Sequence, residues 1–238
     1  MSHKYKSSAV ISNMIVTTEA IVLHSRRFGD TSRIAVLYSR DLGKVSVVAK
    51  GARTPKSAFG SALEPLSRVK ATIYHRRNRD LHTISAAEHL APSQKMDADY
   101  DQLSAALAIC QMVMRTQADE APMPEVYRLL SEALTRVGNA PTTACTTIVM
   151  AAQLRLAEIM GFGMPTVEPP TSVAVKVSLE DGLPRPESAE GYRMSSSAYG
   201  QIHALLTTPL DLVTQTLSAE DRLELEAFLQ LYFAHHLR

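Results

Sequence analysis

The sequence predicts an α+β chain: a small five-stranded barrel at the N-terminus, followed by an α-helical domain. Three observations predict it. Residues 14–90 hold short runs that alternate with period 2 or are rich in β-branched side chains. After Pro92 the hydrophobic period lengthens to that of a helix. The charge divides in the same region. Residues 14–84 carry 13 Lys+Arg against 5 Asp+Glu, whereas residues 85–238 carry 10 against 19. A basic first third joined to an acidic remainder reads as a polyanion-binding domain linked to something else.

Composition sets the bounds. At about 150 residues per domain, 238 residues correspond to one or two domains. The chain is 45% hydrophobic and 21% charged, enough apolar material for a core and unlike a disordered chain. It has no apolar run of the roughly 18 residues a membrane helix needs, and no signal-peptide pattern. Two cysteines make neither a disulfide framework nor a four-cysteine zinc site. The expectation is a cytoplasmic protein with no membrane partner and no cofactor. Residues 1–13 lack a clear period and read as a disordered leader, with Met14 an alternative start.

Five strands are expected at Thr18–His24, Arg33–Ser39, Lys44–Lys50, Arg68–His75 and Leu81–Ala87. Gly29-Asp30, Asp41-Leu42-Gly43 and Asn78-Arg79-Asp80 punctuate them as turns. One longer connection, Gly51–Leu66, separates the third strand from the fourth. Five strands in about 70 residues fit an OB-fold barrel, here residues 14–90. Residues 91–238 form the expected helical domain. Asp97 or Asp99 caps a first helix that buries Leu103, Ala106, Leu107, Cys110, Val113 and Met114. Pro124 opens a second, which Gly138 stops. Thr142 or Thr143 opens a third, ended by Gly161. Residues 162–195 read as an irregular, zinc-free insertion with one β-like run at Val173–Leu179. Helical texture returns at Ser196–Leu206, and Ser218 with Asp221 has the spacing of a capping box for the last helix.

The basic residues gather between the strands. Arg26, Arg27 and Phe28 fall after the first expected strand, Lys50, Arg53 and Lys56 after the third, and Arg76, Arg77 and Arg79 between the fourth and fifth. In an OB-fold the loops after strands 1 and 4 flank the face that binds oligonucleotides. Cations there track phosphates, and Phe28 or Tyr74 is placed to stack a base. A solvated surface explains any one arginine. Grouping at the ends of one small barrel favours nucleic-acid binding.

Catalytic patterns are absent or incomplete. Lys50-Gly51-Ala52-Arg53 lacks the phosphate-loop spacing. Ser67 and Lys70 match S-x-x-K, the serine-acylase pattern, without its companion motifs. Asp97, Asp99 and Asp101 imitate a calcium loop that Gln102 and Ala108 then break. The eight histidines include no zinc-binding spacing, so no metal is expected. Cys110 and Cys145 read as small core residues, and Met112, Met114, Met150 and Met160 as a core stripe, with a Met-lined groove for a partner peptide as the alternative.

Several segments resemble the RecO family of recombination mediators. They are Thr18-Glu19-Ala20-Ile21-Val22-Leu23, Arg27-Phe28-Gly29-Asp30-Thr31-Ser32, Leu42-Gly43-Lys44, Val48-Ala49-Lys50-Gly51-Ala52-Arg53 with Lys56-Ser57, and Leu63-Glu64-Pro65-Leu66. Later, Leu154–Gly163 and Leu231–Leu237 are similar to that family's third and last helices. The resemblance implies an OB-fold and a helical domain, binding of single- and double-stranded DNA, and annealing of complementary strands. It also implies action with RecR and the single-stranded DNA-binding protein to place RecA on coated strands, without catalysis. An OB-fold RNA-binding protein with a helical docking domain is the alternative; a hydrolase using Ser67 and Lys70 is a distant third.

The chain departs from the family at two places. Many members carry four zinc-binding cysteines after the Gly-Phe-Gly position, and residues 162–195 hold none. Some members place arginines just before the third-helix motif, near the pocket for the acidic, Phe-ended tail of the single-stranded DNA-binding protein. Here Ile148, Val149, Met150, Ala151 and Ala152 are uncharged, which leaves Arg128, Arg136 and Arg155 as the expected tail contacts.

Overall fold

A computed structural model describes residues 14–55, 57–76, 78–90 and 99–237. The expected leader, Lys56, Arg77 and Asp97 lie outside the described residues. The chain divides into two compact units. The first holds the N-terminal strands together with residues 119–122, and the second holds the helices.

The first unit is a closed barrel of β1 (Met14–Phe28), β2 (Ser32–Ser39), β3 (Gly43–Ala49), β4 (Arg68–His75) and β5 (Leu81–His89). The strand order around it is β1-β2-β3-β5-β4. All neighbours are antiparallel except β3 and β5, which run parallel over Ser46–Val48 and Leu81–Thr83. The long β1 serves two partners. Met14–Ile21 pairs with β4, and Ala20–Phe28 pairs with β2. A bulge between Val22 and His24 bends it. Strand alternation sends Val22, Leu37, Val47, Val69, Ala71, Ile73 and Ile84 inward. Phe59, Ala62 and Leu63, from the long β3–β4 connection, join this core. Burying each Val, Leu, Ile or Phe contributes about 1.5–3 kcal/mol.

The second unit holds α1 (Tyr100–Thr116), α2 (Pro124–Asn139), α3 (Cys145–Ile159), α4 (Ser196–Thr207) and α5 (Ala219–His236). Asp99 caps α1, accepting from the Asp101 and Gln102 amides, and its other oxygen accepts from the Thr142 hydroxyl. These bonds, the Thr142 bond foremost, hold its carboxyl below the usual range. Helix α2 runs one residue past Gly138, and a 3₁₀ turn, Thr142–Ala144, leads into α3. Gly161, at φ +87°, ends α3 in the left-handed region. Ser195 and Ser218 cap α4 and α5 through their hydroxyls. Among the described residues no helix is long and apolar enough to cross a membrane.

Residues 162–195 are more regular than expected. They contain a three-stranded antiparallel sheet, β6 (Ala174–Val177), β7 (Pro184–Arg185) and β8 (Tyr192–Ser195), in the order β7-β6-β8. Strands this short carry no readable period. Val175, Val177 and Met194 are buried, and Tyr232 of α5 donates to the Phe162 carbonyl at 2.8 Å. This packing and the Tyr232 hydrogen bond join the segment to α5.

Candidate nucleic-acid interface

Arg26, Arg27 and Phe28 are the last three residues of β1 and not part of a loop. They pair with Ile34, Arg33 and Ser32 of β2. The charged, exposed end of this strand hides it from a hydrophobic pattern. Strand alternation puts Arg26 and Phe28 on one face and Arg27 on the other. Phe28 is 47% exposed.

The registers place the basic segments around β3. The β1–β2 connection lies at the Ala49 end, because Arg33 pairs with Ala49. The β4–β5 connection ends at Leu81, which pairs with Ser46. Three strand residues separate these positions, about 10 Å at 3.3 Å per residue. Arg76 and Arg79 stand exposed in the second connection, and Asn78 between them turns the chain at φ +62°. Lys50 is exposed just past β3. Tyr74, 44% exposed, lies on the outer face of β4. Among the described residues, Arg26, Arg27, Lys50, Arg76 and Arg79 form no ion pair. Among the described residues, then, no carboxylate neutralises their charge.

Arg53 behaves differently. Its guanidinium donates to the carbonyl oxygens of Gly29, at 3.1 Å, and Asp30, at 3.0 Å. Its amide donates to the Thr31 carbonyl. It clasps the β1–β2 turn. Arg33 similarly pairs with Glu64 at 2.7 Å, and Arg40 with Glu19 and Asp41.

Two of the three arginines expected on the helical side hold the protein's own backbone. Arg136 donates twice to the Val213 carbonyl, at 2.7 and 3.2 Å. Arg155 donates to the carbonyls of Ala151, Leu205 and Thr208. Desolvation draws its guanidinium pKa down, against the pull of Glu132, Glu158 and Asp211. Arg128 is exposed, 3.9 Å from Glu125. A cleft of about 420 Å³ opens instead between α1, α3 and α5. Met112, Val149, Met150, Leu229 and Phe233 give it an apolar lining, and the exposed Arg115 stands at its edge. Sequence reasoning missed Arg115, whose only signal is a lone cation on an apolar helix. Val149 is uncharged and gives no signal, whereas Met112 and Met150 belong to the methionine set whose alternative reading is a groove for a partner peptide, and both line this cleft.

The residues singled out for chemistry have structural roles. Ser67 is buried and donates to the Ser61 carbonyl, while Lys70 lies on the outer face of β4. Cys110 is buried and desolvation pushes its thiol up to about 12, far from a reactive thiolate. Burial, then Asp99 and Asp101, raise Cys145 as well. One cluster went unseen: His75, His82 and Glu120 converge at the barrel.

Comparison with known proteins gives this arrangement a family. The model for the recombination protein O N-terminal domain matches residues 14–93, and that for its C-terminal domain matches residues 97–238. A DNA repair protein RecO of Salinibacter ruber is 32% identical over 225 residues, covering 91% of this chain and 86% of the relative. One from Prosthecochloris aestuarii is 26% identical over 149 residues, 63% of this chain and 56% of the relative. One from a Nocardioides species is 39% identical over 118 residues, 49% and 47%. Two family models that between them span both structural units, and a relative aligned along nearly the whole chain, place it: the chain belongs to the RecO family of DNA repair proteins.

Proposed function

We propose that this chain is a non-catalytic mediator that binds single- and double-stranded DNA and anneals complementary strands. The observation that carries this reading is the set of five barrel cations without an ion pair among the described residues, Arg26, Arg27, Lys50, Arg76 and Arg79, with Phe28 and Tyr74 exposed beside them. Such cations release condensed counterions when they meet phosphates, and exposed rings stack bases without regard to sequence. Lys56 and Arg77 extend the same basic runs in the sequence. Arg53 acts by holding the β1–β2 turn. Buried thiols and a split Ser67–Lys70 pair favour binding over catalysis.

The helical unit serves protein partners. An acidic, Phe-ended tail, as on the single-stranded DNA-binding protein, needs an apolar pocket and a nearby cation. The α1–α3–α5 cleft with Arg115 has both. Arg128 keeps an exposed guanidinium for such a tail, while Arg136 and Arg155 support the backbone at Val213 and Leu205. RecR, and RecA indirectly, complete the partner set that family membership favours.

The deciding experiment measures binding of matched DNA and RNA strands across salt concentrations, with a strand-annealing assay on the same protein. Faster annealing of complementary DNA, with salt-dependent DNA affinity, is expected. Tight binding to RNA alone, or DNA binding without annealing, overturns the reading in favour of an RNA-binding or purely DNA-binding module.

A further inference from the structure

The inward faces of β4 and β5 end on two histidines. Val69, Ala71 and Ile73 point into the barrel, and His75 takes the next inward position. One step beyond the Tyr74–Thr83 pair, His75 faces His82 across the sheet. Their rings stack with centroids 4.3 Å apart. His75 is 3% exposed and His82 is fully buried. Glu120 meets both. Its Oε1 lies 2.7 Å from His82 Nε2, and its Oε2 lies 3.2 Å from His75 Nε2. One donor atom from each residue falls within 4.8 Å of the others.

Two features set this cluster apart from an ordinary ion pair. Buried polar atoms almost always have hydrogen-bond partners. Among the described residues neither ring nitrogen of His75 has one: Nε2 approaches Glu120 Oε2 at 3.2 Å without forming a hydrogen bond, and Nδ1 has no partner. Glu120 is also held in place by its backbone. It sits at φ +55°, a conformation uncommon for a residue with a side chain, and its amide donates to the Lys44 carbonyl at 2.9 Å.

We propose that His75, His82 and Glu120 form a site for a borderline divalent cation of the zinc class. Two imidazoles and one carboxylate suit such an ion, whereas magnesium and calcium demand oxygen donors. Bond lengths of about 2.0–2.2 Å around zinc put neighbouring ligand atoms roughly 3.3 Å apart in a tetrahedron. The His75–Glu120 separation already matches that spacing. A fourth position remains for water. The site lies in the barrel and owes nothing to residues 162–195.

Loading changes one hydrogen bond. The Arg76 amide donates to His82 Nδ1 at 3.2 Å, so the neutral ring carries its proton on Nε2, facing Glu120. A cation at Nε2 displaces that proton, and the neutral ring then carries one on Nδ1. Nδ1 can no longer accept, and the Arg76 amide is released. The cation therefore reports directly into the basic β4–β5 connection.

The test uses the full-length chain, stripped with chelator and titrated with Zn²⁺, with Mg²⁺ as control and Co²⁺ as an optical probe. One Zn²⁺ per chain is expected, undisturbed by a hundredfold excess of Mg²⁺. The Arg76 amide resonance should shift on loading. Glu120→Gln, at a half-exposed position, should fold normally and weaken zinc at least tenfold, and His82→Gln should do the same. Should one variant fail to fold, the other decides. Less than half an equivalent of zinc would leave a plain hydrogen-bonded latch and overturn the proposal. Equal affinity in the wild type and the folded variants would also overturn it, by moving the ion to another histidine.

Discussion

The guanidinium of Arg53 donates to the carbonyl oxygen of Gly29 across 24 residues of sequence, at 3.1 Å. A cation that reads as a phosphate contact is thus occupied in shaping the turn beside the contacts. Arg53→Ala should lower barrel stability by about 1 kcal/mol, the usual worth of such bonds at a surface. Thermal melting checks this. An unchanged melting temperature with a reduced salt slope would return Arg53 to the DNA contacts.

The barrel cations without an ion pair among the described residues should behave in the opposite way. Removing one phosphate-binding cation reduces the slope of log affinity against log salt by about 0.7 for single strands and 0.9 for duplex. Arg26/Arg76/Arg79→Ala should therefore flatten the single-strand slope by about 2 and leave the melting temperature in place. Binding titrations over a range of salt concentrations give the slope.

On the helical unit, the two kinds of arginine should separate cleanly. Arg115→Ala should weaken an acidic, Phe-ended peptide about tenfold, roughly 1.4 kcal/mol, without altering melting. Arg155→Ala removes the donor to the Leu205 and Thr208 carbonyls at the end of α4 and should lower the melting temperature. Fluorescence anisotropy with a labelled peptide, paired with calorimetry, distinguishes them.

Asp99 couples the start of α1 to acidity. Its carboxyl is held low, chiefly by Thr142 and then by the Gln102 amide. A depressed folded-state pKa contributes stability above the unfolded value near 3.9, and loses it as pH falls through the folded value. The helical unit should weaken below about pH 4, and Asp99→Asn should blunt that dependence. Circular dichroism melts between about pH 3 and 6 follow it.

Gly43 admits no side chain. It holds φ +70°, and a Cβ there would lie 2.6 Å from the Ala121 backbone. Gly43→Ala should cost about 2–4 kcal/mol through strain and displacement of Ala121. Zinc affinity should fall with it, because Glu120 is the adjoining residue. Urea unfolding gives the first effect and zinc titration the second.

Much of the architecture was legible because its signals are local. The β4 boundaries coincide with the sequence pattern, as Val69, Ala71 and Ile73 alternate with polar neighbours. Pro124 and Ser218 announce their helices through backbone chemistry. Strand β1 was foreshortened because Met14 and Ile15 at one end, and Arg26 to Phe28 at the other, stand exposed and break the alternation. The sites were harder to read, since charge is visible in a sequence and its partners are not. Arg136 meets Val213 across 77 residues, which no spacing rule anticipates. His75 did leave a trace, continuing an inward apolar phase on a strand. Its meaning depends on Glu120, which arrives from outside the barrel's own stretch of chain.

The double pairing of β1 has a consequence for how the barrel assembles. The β1–β2 ribbon can form early, since its turn is short. The other seam starts at Ile21 and Arg68 and runs out to Met14 and His75, so the chain must close a loop of about 47 residues before that pairing returns anything. Until then β4 offers an open edge, ready to accept a strand from a second molecule. Removing residues 14–17 would make that exposure permanent along Thr72–His75, and a nascent or truncated chain would be prone to aggregate through that half of β4 although every helix downstream was intact.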